Sequence, residues 1–277
     1  MRNGFTFKER HSSEFGVTVK TKSRPIRPAV KSFTMNLPYR DGEYDFSAAN
    51  TDEREHYENR IFTVSISVTA DDLALLQDKI CALSLWLSGS GDLIFDDIPL
   101  SVWKARISDE ILYMPEHGGK NAVIEVSFVT EPFSECTFGT EGPLLGDPLP
   151  LGSQIPLGMD ERYTFTLSGT ETIDIVNFGD RPIRPVIEFE GNAGYVRMSL
   201  DDKTLVFTSE GDTAVDFKKQ TVTDENGSVN VTGDYFEFPA GHNHLKITCE
   251  PPEPLTVTVS FKPEFMYTAD FSEDIWG

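Results

Sequence analysis

The five histidines are the side chains best suited to acid–base or metal chemistry, and only two of them are close in sequence. His242 and His244 are two residues apart, so on a strand both imidazoles would point to the same face. A metal ion would need a third ligand, and the nearest candidate, Cys249, is distant along the chain. The preceding Pro239-Ala240-Gly241 is typical of a turn that enters a strand. We therefore expect no metal site. The other histidines lie among charged residues or glycines and are expected to be exposed: His11, His56 and His117.

Paired carboxylates could perform the acid–base chemistry of glycoside hydrolysis. Asp96-Asp97 and Asp201-Asp202 are such pairs. Adjacent residues on a strand point to opposite faces, so neither pair can flank one bond if its segment is extended. The sequence also contains no nucleophile elbow, phosphate-binding loop, dinucleotide-binding fingerprint or HExxH motif. We predict no catalytic residue, no cofactor and no metal ion, and we expect that the protein is not an enzyme.

The cysteines point to a reducing environment. Cys81, Cys136 and Cys249 are odd in number and far apart, which fits neither a disulfide framework nor a CxxC site. The N-terminal residues contain no apolar segment of the kind found in secretory signals. The longest apolar run, Ile80 to Leu87, is far shorter than the roughly 20 residues of a membrane span. We expect folding in the cytoplasm and no membrane insertion.

Charge is distributed unevenly along the chain. The sequence has 24 Lys and Arg against 45 Asp and Glu, a net charge of −21, which disfavours sequence-specific binding of nucleic acid. The first 31 residues are the exception, with eight basic residues against two acidic ones. A basic segment on an acidic chain favours head-to-tail contact with a neighbouring copy, and a solvated surface is the alternative. The predicted subunit contacts are Lys8, Arg10, Lys20, Lys22, Arg24 and Arg27.

Hydrophobic periodicity predicts a mainly β protein. Apolar and polar residues alternate strictly over 62–69, 122–129 and 255–261, and many shorter β-branched runs follow at intervals that are typical of sandwiches or barrels. Residues 70–87 break this pattern, because apolar positions three and four apart predict a helix. Thr69 could cap this helix, and Asp71 and Asp72 would lie in its first turn. A charged segment, 51–59, could form at most a short surface helix.

A Pro- and Gly-rich stretch divides the sequence. Nine of the residues between 138 and 160 are Pro or Gly, a density that is incompatible with a long regular element and typical of a linker. The predicted division is an N-terminal domain over 1–139, a linker over 140–159, a C-terminal domain over 160–262 and a tail over 263–277.

Several segments occur in the order and spacing of a known family. In the first half they are Phe5-Thr6-Phe7, Gly42-Glu43-Tyr44, Tyr57-Glu58-Asn59-Arg60-Ile61, Leu85-Trp86-Leu87 and Gly91-Asp92-Leu93-Ile94-Phe95. In the second half they are Asn177-Phe178-Gly179, Pro185-Val186-Ile187-Glu188-Phe189-Glu190-Gly191 and Phe238-Pro239-Ala240-Gly241-His242-Asn243. Because of these segments, the sequence resembles the distal tail protein (Dit) family over nearly its whole length. This family belongs to bacteriophages with long, non-contractile tails, which are called siphophages.

The resemblance implies a fold and a structural role. The implied fold is an N-terminal α+β, tail-tube-like β-sandwich or barrel with one helix, followed by a C-terminal galectin-like β-sandwich. The first domain would close a homo-hexameric ring, single or stacked. That ring is the hub that joins the tail tube protein to the tail-associated tip protein and carries receptor-binding proteins. The implied location is the virion tail tip, after folding and assembly in the host cytoplasm. The tail, from Phe265 to Trp276, would return to the first domain, with simple fraying as the alternative.

A carbohydrate-binding protein is the alternative function, because galectin-like sandwiches bind sugars. Such a protein would recognise host cell-surface glycans through its C-terminal sandwich. Sugar sites commonly stack sugar rings on exposed aromatic side chains, and residues 160–264 contain no Trp. The sequence therefore favours the structural role.

Overall fold

The chain forms two compact units. The computed structural model describes residues 4–47, 55–116, 120–147, 149, 153–156, 158–269 and 271. The first unit comprises Met1–Ser134 and Met266–Thr268, and the second comprises Glu135–Phe265 and Ala269–Gly277. The division therefore falls at residue 134, whereas the sequence placed it in the Pro- and Gly-rich stretch.

That stretch belongs to the second unit for a physical reason. Phe138 and Met159, which flank it, are buried. Within it, the backbone N–H of Gln154 donates to the carbonyl oxygen of Phe271 at 2.9 Å. Proline and glycine prevent regular hydrogen bonding between neighbouring residues, but they do not prevent a segment from packing on a core.

The first unit is built on a large antiparallel sheet. The strands of this unit are β1 (Phe5–Phe7), β2 (Arg10–His11), β3 (Thr18–Ser23), β4 (Thr34–Asn36), β5 (Glu43–Asp45), β6 (Arg60–Thr69), β7 (Ser90–Phe95), β8 (Ser101–Ile107), β9 (Leu112–Pro115) and β10 (Asn121–Thr130). Eight of them form this sheet: seven lie in the order β2-β1-β7-β8-β10-β6-β3, and β9 pairs with β10. β4 and β5 form a separate two-stranded sheet.

The alternation predicted for β6 and β10 is confirmed. The two strands pair along their whole length, with Phe62 opposite Phe128 and Ile66 opposite Ile124. Since side chains directly opposite each other share a face, the apolar residues of both strands point into one core. In β6 the side chains of Phe62, Val64, Ile66 and Val68 are fully buried.

One long helix covers this core, as the sequence predicted, within narrower bounds. α1 spans Leu73–Trp86, and its cap is Asp72, whose side chain accepts a hydrogen bond from the Leu75 N–H at 2.9 Å. The expectation that Thr69 caps the helix is therefore wrong. Leu76 and Leu83 are fully buried, and Ile80 packs partly buried against the same core. Trp86 stacks on Phe5, with ring centroids 5.3 Å apart.

A short 3₁₀ helix, Ser12–Phe15, precedes β3 and was not predicted. The described part of the segment 51–59 contains no helix, and its first four residues lie outside the described residues. None of the helices in the described ranges is long and apolar enough to cross a membrane.

The second unit contains a short helix, α2 (Met159–Arg162), and the remaining strands. These strands are β11 (Ser134–Cys136), which starts at the boundary, β12 (Thr164–Leu167), β13 (Thr170–Asn177), β14 (Val186–Glu190), β15 (Gly194–Leu200), β16 (Lys203–Ser209), β17 (Thr213–Asp216), β18 (Thr221–Asp224), β19 (Gly227–Ser228), β20 (Val231–Gly233), β21 (Gly241–Glu250), β22 (Leu255–Ser260) and β23 (Glu264–Phe265).

Two antiparallel sheets make this unit a β-sandwich, as expected. One sheet has the order β12-β22-β14-β17-β18-β19, and the other has the order β13-β21-β15-β16-β20. Phe189 of the first sheet contacts Phe207 of the second, with ring centroids 6.0 Å apart, so the inner faces of the two sheets share one core. Glu225 and Asn226 form the tight turn between β18 and β19, since Asp224 pairs with Gly227.

The last described residues divide between the units. Tyr267 lies beside Trp103 of the first unit, with ring centroids 6.4 Å apart. Phe271 packs in the second unit against Phe138 and Phe178. Of the tail that was expected to return to the first domain, Met266–Thr268 belongs to the first unit, and Trp276 lies outside the described residues.

Candidate assembly surface of the first unit

Arg24 is the most enclosed of the six basic residues predicted at subunit contacts. Only 13% of its side chain is exposed. Its guanidinium donates to both carboxylate oxygens of Asp97, at 2.9 and 2.5 Å, and to the hydroxyl of Tyr267 at 3.0 Å. It also lies over the ring of Phe95, 4.8 Å from the centroid. The Asp97 hydrogen bonds raise the pKa of Arg24 and lower the pKa of Asp97, so both groups stay charged. Arg24 therefore contacts its own chain on several sides.

Three others of the six form ion pairs within the chain. Arg10 pairs with Glu14 at 3.0 Å, and Arg27 approaches Glu55 at 3.4 Å. Lys22 of edge strand β3 pairs with Glu125 of β10, across the intervening strand β6. All three pairs are substantially exposed, which limits their contribution to stability.

The remaining two basic residues have no carboxylate partner in the described ranges. The ammonium of Lys8 donates to the carbonyl oxygen of Ser88 at 3.0 Å. Lys20 lies exposed on edge strand β3, and its ammonium contacts no acceptor among the described residues. A lysine on an edge strand also hinders unwanted strand pairing.

The hairpin of residues 30–47, which contains β4 and β5, was not predicted as a separate feature and is strongly amphipathic. Met35 lies opposite Tyr44, and Phe46 donates its N–H to the carbonyl oxygen of Phe33 at 2.8 Å. Because residues two apart share a face, Phe33, Met35, Tyr44 and Phe46 line one side. Phe33 is 62% exposed, and Met35 and Tyr44 are exposed as well. We call this side the apolar face of the hairpin.

The tip of the hairpin carries a further exposed aromatic residue. Tyr39 is fully exposed and has a left-handed backbone, with φ of 65°. A bulky residue with positive φ is uncommon, and the conformation costs about 1 kcal/mol or more. Because strained residues are often kept for a function, Tyr39 is a candidate contact residue.

The outer side of α1 is another exposed apolar surface. Leu73, Leu75 and Leu85 are exposed, and Leu85 is 78% exposed. Cys81 is also exposed on this helix. A helix that is apolar on most sides is normally covered on most sides, so this pattern favours a partner surface over α1.

The structure shows the exposure and the contacts of the histidines in the described ranges. His11 is partly buried rather than exposed, because its ring accepts a hydrogen bond from the Ser13 N–H and lies 3.0 Å from Asp96. His56 is exposed, and His117 lies outside the described residues. His242 and His244 share the carboxylate of Asp174, at 2.6 and 3.4 Å.

The described residues contain no group of three or more His, Cys, Asp or Glu side chains that could hold a metal ion. Cys136 is buried, and this burial raises the pKa of its thiol to about 11. Such a thiol is poorly suited to nucleophilic chemistry.

Comparisons with known proteins agree with the resemblance. Residues 11–130 match the family model of the phage tail protein RIFT-related domain. The crystal structure of the Dit protein of phage SPP1, described as a paradigm of the hub adsorption apparatus in phages that infect Gram-positive bacteria, is 16% identical, with a TM-score of 0.63. The match covers 94% of this chain and 98% of that one.

Chains of the phage P2 baseplate match less well. One such chain comes from the structure of the baseplate in its activated conformation with Ca. It is 8% identical to this chain, with a TM-score of 0.41, and the match covers 94% of this chain and 98% of that one. No curated protein sequence matches the chain. Residues 11–130, which make up most of the first unit, therefore match a phage tail protein domain, and the chain shares the fold of the SPP1 Dit protein, as the resemblance to the siphophage distal tail family implied.

Proposed function

We propose that this protein is the hub of a siphophage or prophage tail, a non-enzymatic homo-hexameric ring between the tail tube protein and the tail-associated tip protein. The ring would also carry receptor-binding proteins at the virion tail tip, and it would assemble in the host cytoplasm. The observation that carries the proposal is the fold shared over 94% of the chain with the SPP1 hub protein.

The exposed surfaces of the first unit support self-association. A two-stranded hairpin is marginally stable in water, and Phe33 and Met35 on the apolar face of this one are exposed among the described residues. Burying a large apolar side chain contributes about 1.5 to 3 kcal/mol. A neighbouring subunit that covers Phe33 and Met35 would therefore stabilise both the hairpin and the ring. We infer that the hairpin, together with the exposed side of α1, supplies the affinity between subunits.

Mass measurement of the purified chain tests this proposal. We expect six copies for the wild-type protein. Replacing Phe33 and Met35 by serine should leave the fold unchanged by circular dichroism and shift the mass toward the monomer. The matched control replaces Leu144 and Leu145, two exposed leucines of the second unit, and should still assemble. A wild-type chain that stays monomeric at every concentration, alone and with tail tube protein, would contradict the proposal.

A further inference from the structure

The apolar face of the hairpin and the outer side of α1 start from opposite ends of β6. The base of the hairpin joins the residues just before β6, since Lys31 donates its N–H to the carbonyl oxygen of His56 at 2.7 Å. α1 begins four residues after Thr69, where β6 ends. A ten-residue strand is roughly 33 Å long. Both apolar surfaces are exposed in the same chain, so one copy does not cover its hairpin with its own helix.

The outer side of α1 carries a narrow stripe in which leucines flank shorter side chains. At about 3.6 residues per turn, this stripe contains Leu75, Asp78, Ala82 and Leu85, with Cys81 at its margin. All five are exposed. Because the side chain of Ala82 is short, the stripe leaves room between its two leucines for a large apolar side chain.

Each of the two surfaces carries a charge without a partner, and the two charges are opposite in sign. The guanidinium of Arg40 lies over the ring of Tyr44, 4.9 Å from the centroid, and therefore belongs to the apolar face of the hairpin. Glu43 and Asp45 alternate with Tyr44 along β5, so their carboxylates lie on the opposite face. On α1, Asp78 is the charged residue of the stripe. Within the described ranges, the side chains of Arg40 and Asp78 form no ion pair and no hydrogen bond.

The charges near α1 also favour a cation over its outer side. The ammonium of Lys79 donates to the carbonyl oxygen of Thr69 at 2.7 Å, which turns it toward β6 and away from the stripe. Asp71 lies seven residues before Asp78 and adds a second acidic group just ahead of the helix. On the hairpin, Asp41 follows Arg40 in the turn, outside the paired strands.

We propose that the apolar face of the hairpin of one subunit packs on the outer side of α1 of the next, with Arg40 beside Asp78. This inference rests on the proposed hub function and specifies the contact that joins its subunits. Phe33 and Met35 would cover the exposed leucines of the stripe. Charges enclosed between apolar surfaces are costly unless they pair, so a contact between two hairpins, which brings two Arg40 side chains together, is disfavoured. A contact between two different surfaces of one chain is head-to-tail and can repeat around a closed ring.

Cross-linking of the hairpin to Cys81 tests this contact. The variant Met35→Cys places a thiol on the apolar face and keeps the native thiol of Cys81 on α1, while Cys136 and Cys249 are buried. A short bismaleimide should link the introduced thiol of one subunit to Cys81 of the next. Since each subunit carries one thiol of each kind, denaturing electrophoresis should show a ladder of linked chains that ends at six.

Two controls and a mass measurement separate the possible outcomes. Leu145→Cys places a thiol on an exposed residue of the second unit and should give no ladder. Met35→Cys combined with Cys81→Ser should also give none, and linked dimers in this variant would overturn the proposal, because two hairpins would then meet. Six copies by mass without a ladder would overturn the contact and leave the hub function standing. A single copy at every concentration, alone and with tail tube protein, would contradict the hub function itself and this contact with it.

Exchange of the two charges tests the pairing of Arg40 with Asp78. Arg40→Glu and Asp78→Arg each place like charges at the contact, and each should weaken assembly about fivefold or more in a dilution series followed by mass measurement. The double variant restores an opposite pair and should assemble within about twofold of wild type. A role of Arg40 confined to its own hairpin gives no rescue, so a double variant as weak as the weaker single variant would overturn the pairing.

Discussion

Replacing Arg24 by alanine distinguishes two roles of the basic N-terminal segment. Arg24 was predicted to face a neighbouring copy, and the structure places it against Asp97, Tyr267 and Phe95 of its own unit. If the main role of Arg24 is to make these intrachain contacts, the Arg24→Ala variant should be less stable than the wild type and should still assemble. If the role is intermolecular, assembly should fail while stability is unchanged.

The expected loss of stability follows from the contacts. The Asp97 carboxylate is half exposed, so the ion pair contributes at most about 1 kcal/mol. The hydrogen bond to the Tyr267 hydroxyl adds about 1 kcal/mol, and the cation–π contact with Phe95 adds about 0.5 to 1 kcal/mol. Because the three contacts share one side chain, they are not strictly additive, and we expect a total of about 2 kcal/mol.

Urea unfolding followed by tryptophan fluorescence measures this loss, since Trp86 and Trp103 are both buried in the first unit. The control is Arg27→Ala, whose exposed ion pair with Glu55 should cost less than about 0.5 kcal/mol. The Asp97 contribution is present above the ordinary aspartate pKa of about 3.9, and it is lost as pH falls through the lowered pKa of Asp97 in the folded protein. The difference between wild type and Arg24→Ala should therefore shrink below about pH 4. Equal stability of the Arg24 and Arg27 variants, with assembly lost only in the first, would refute the intrachain role.

Three further predictions follow from burial. Leu83→Ala in α1 should cost about 2 to 5 kcal/mol in unfolding free energy, whereas Leu85→Ala on the exposed side should cost less than about 0.5 kcal/mol; equal losses would refute the assigned orientation of the helix. A maleimide should label Cys81 in the native protein and Cys136 only after unfolding, because Cys136 is buried and its pKa is about 11; native labelling of Cys136 would contradict its burial. Limited proteolysis should cut first near Leu145, a fully exposed residue in the Pro- and Gly-rich stretch, and resistance there would count against an accessible loop.

The strands and the helix could be predicted because their signals are local. Alternation in β6 and β10 reflects one buried face, and the spacing of Leu76 and Leu83 reflects one buried side of α1. The cap of α1 was misplaced because Thr69 and Asp72 are both good cap residues. The choice between them depends on where β6 ends, which pairing with β10 fixes, because Thr69 is the last residue to pair.

The hairpin and the domain boundary could not be predicted because they depend on what packs against them. β4 and β5 are only three residues long, too short for a clear alternation. Composition at 138–160 indicated irregular backbone, which is correct, but the burial of Phe138 and Met159 is decided by the core of the second unit.

The intrachain ion pairs limit how much charge can contribute to the affinity between subunits of the proposed ring. Arg10, Lys22, Arg24 and Arg27 already have carboxylate partners, so a subunit contact would exchange one partner for another and gain little free energy. Of the six basic residues, Lys8 and Lys20 have no carboxylate partner among the described residues. Complementary charge would then orient approaching subunits and speed their association, and the affinity would come from apolar burial. The apolar face of the hairpin and the exposed side of α1 are therefore the surfaces on which closure of the ring would depend.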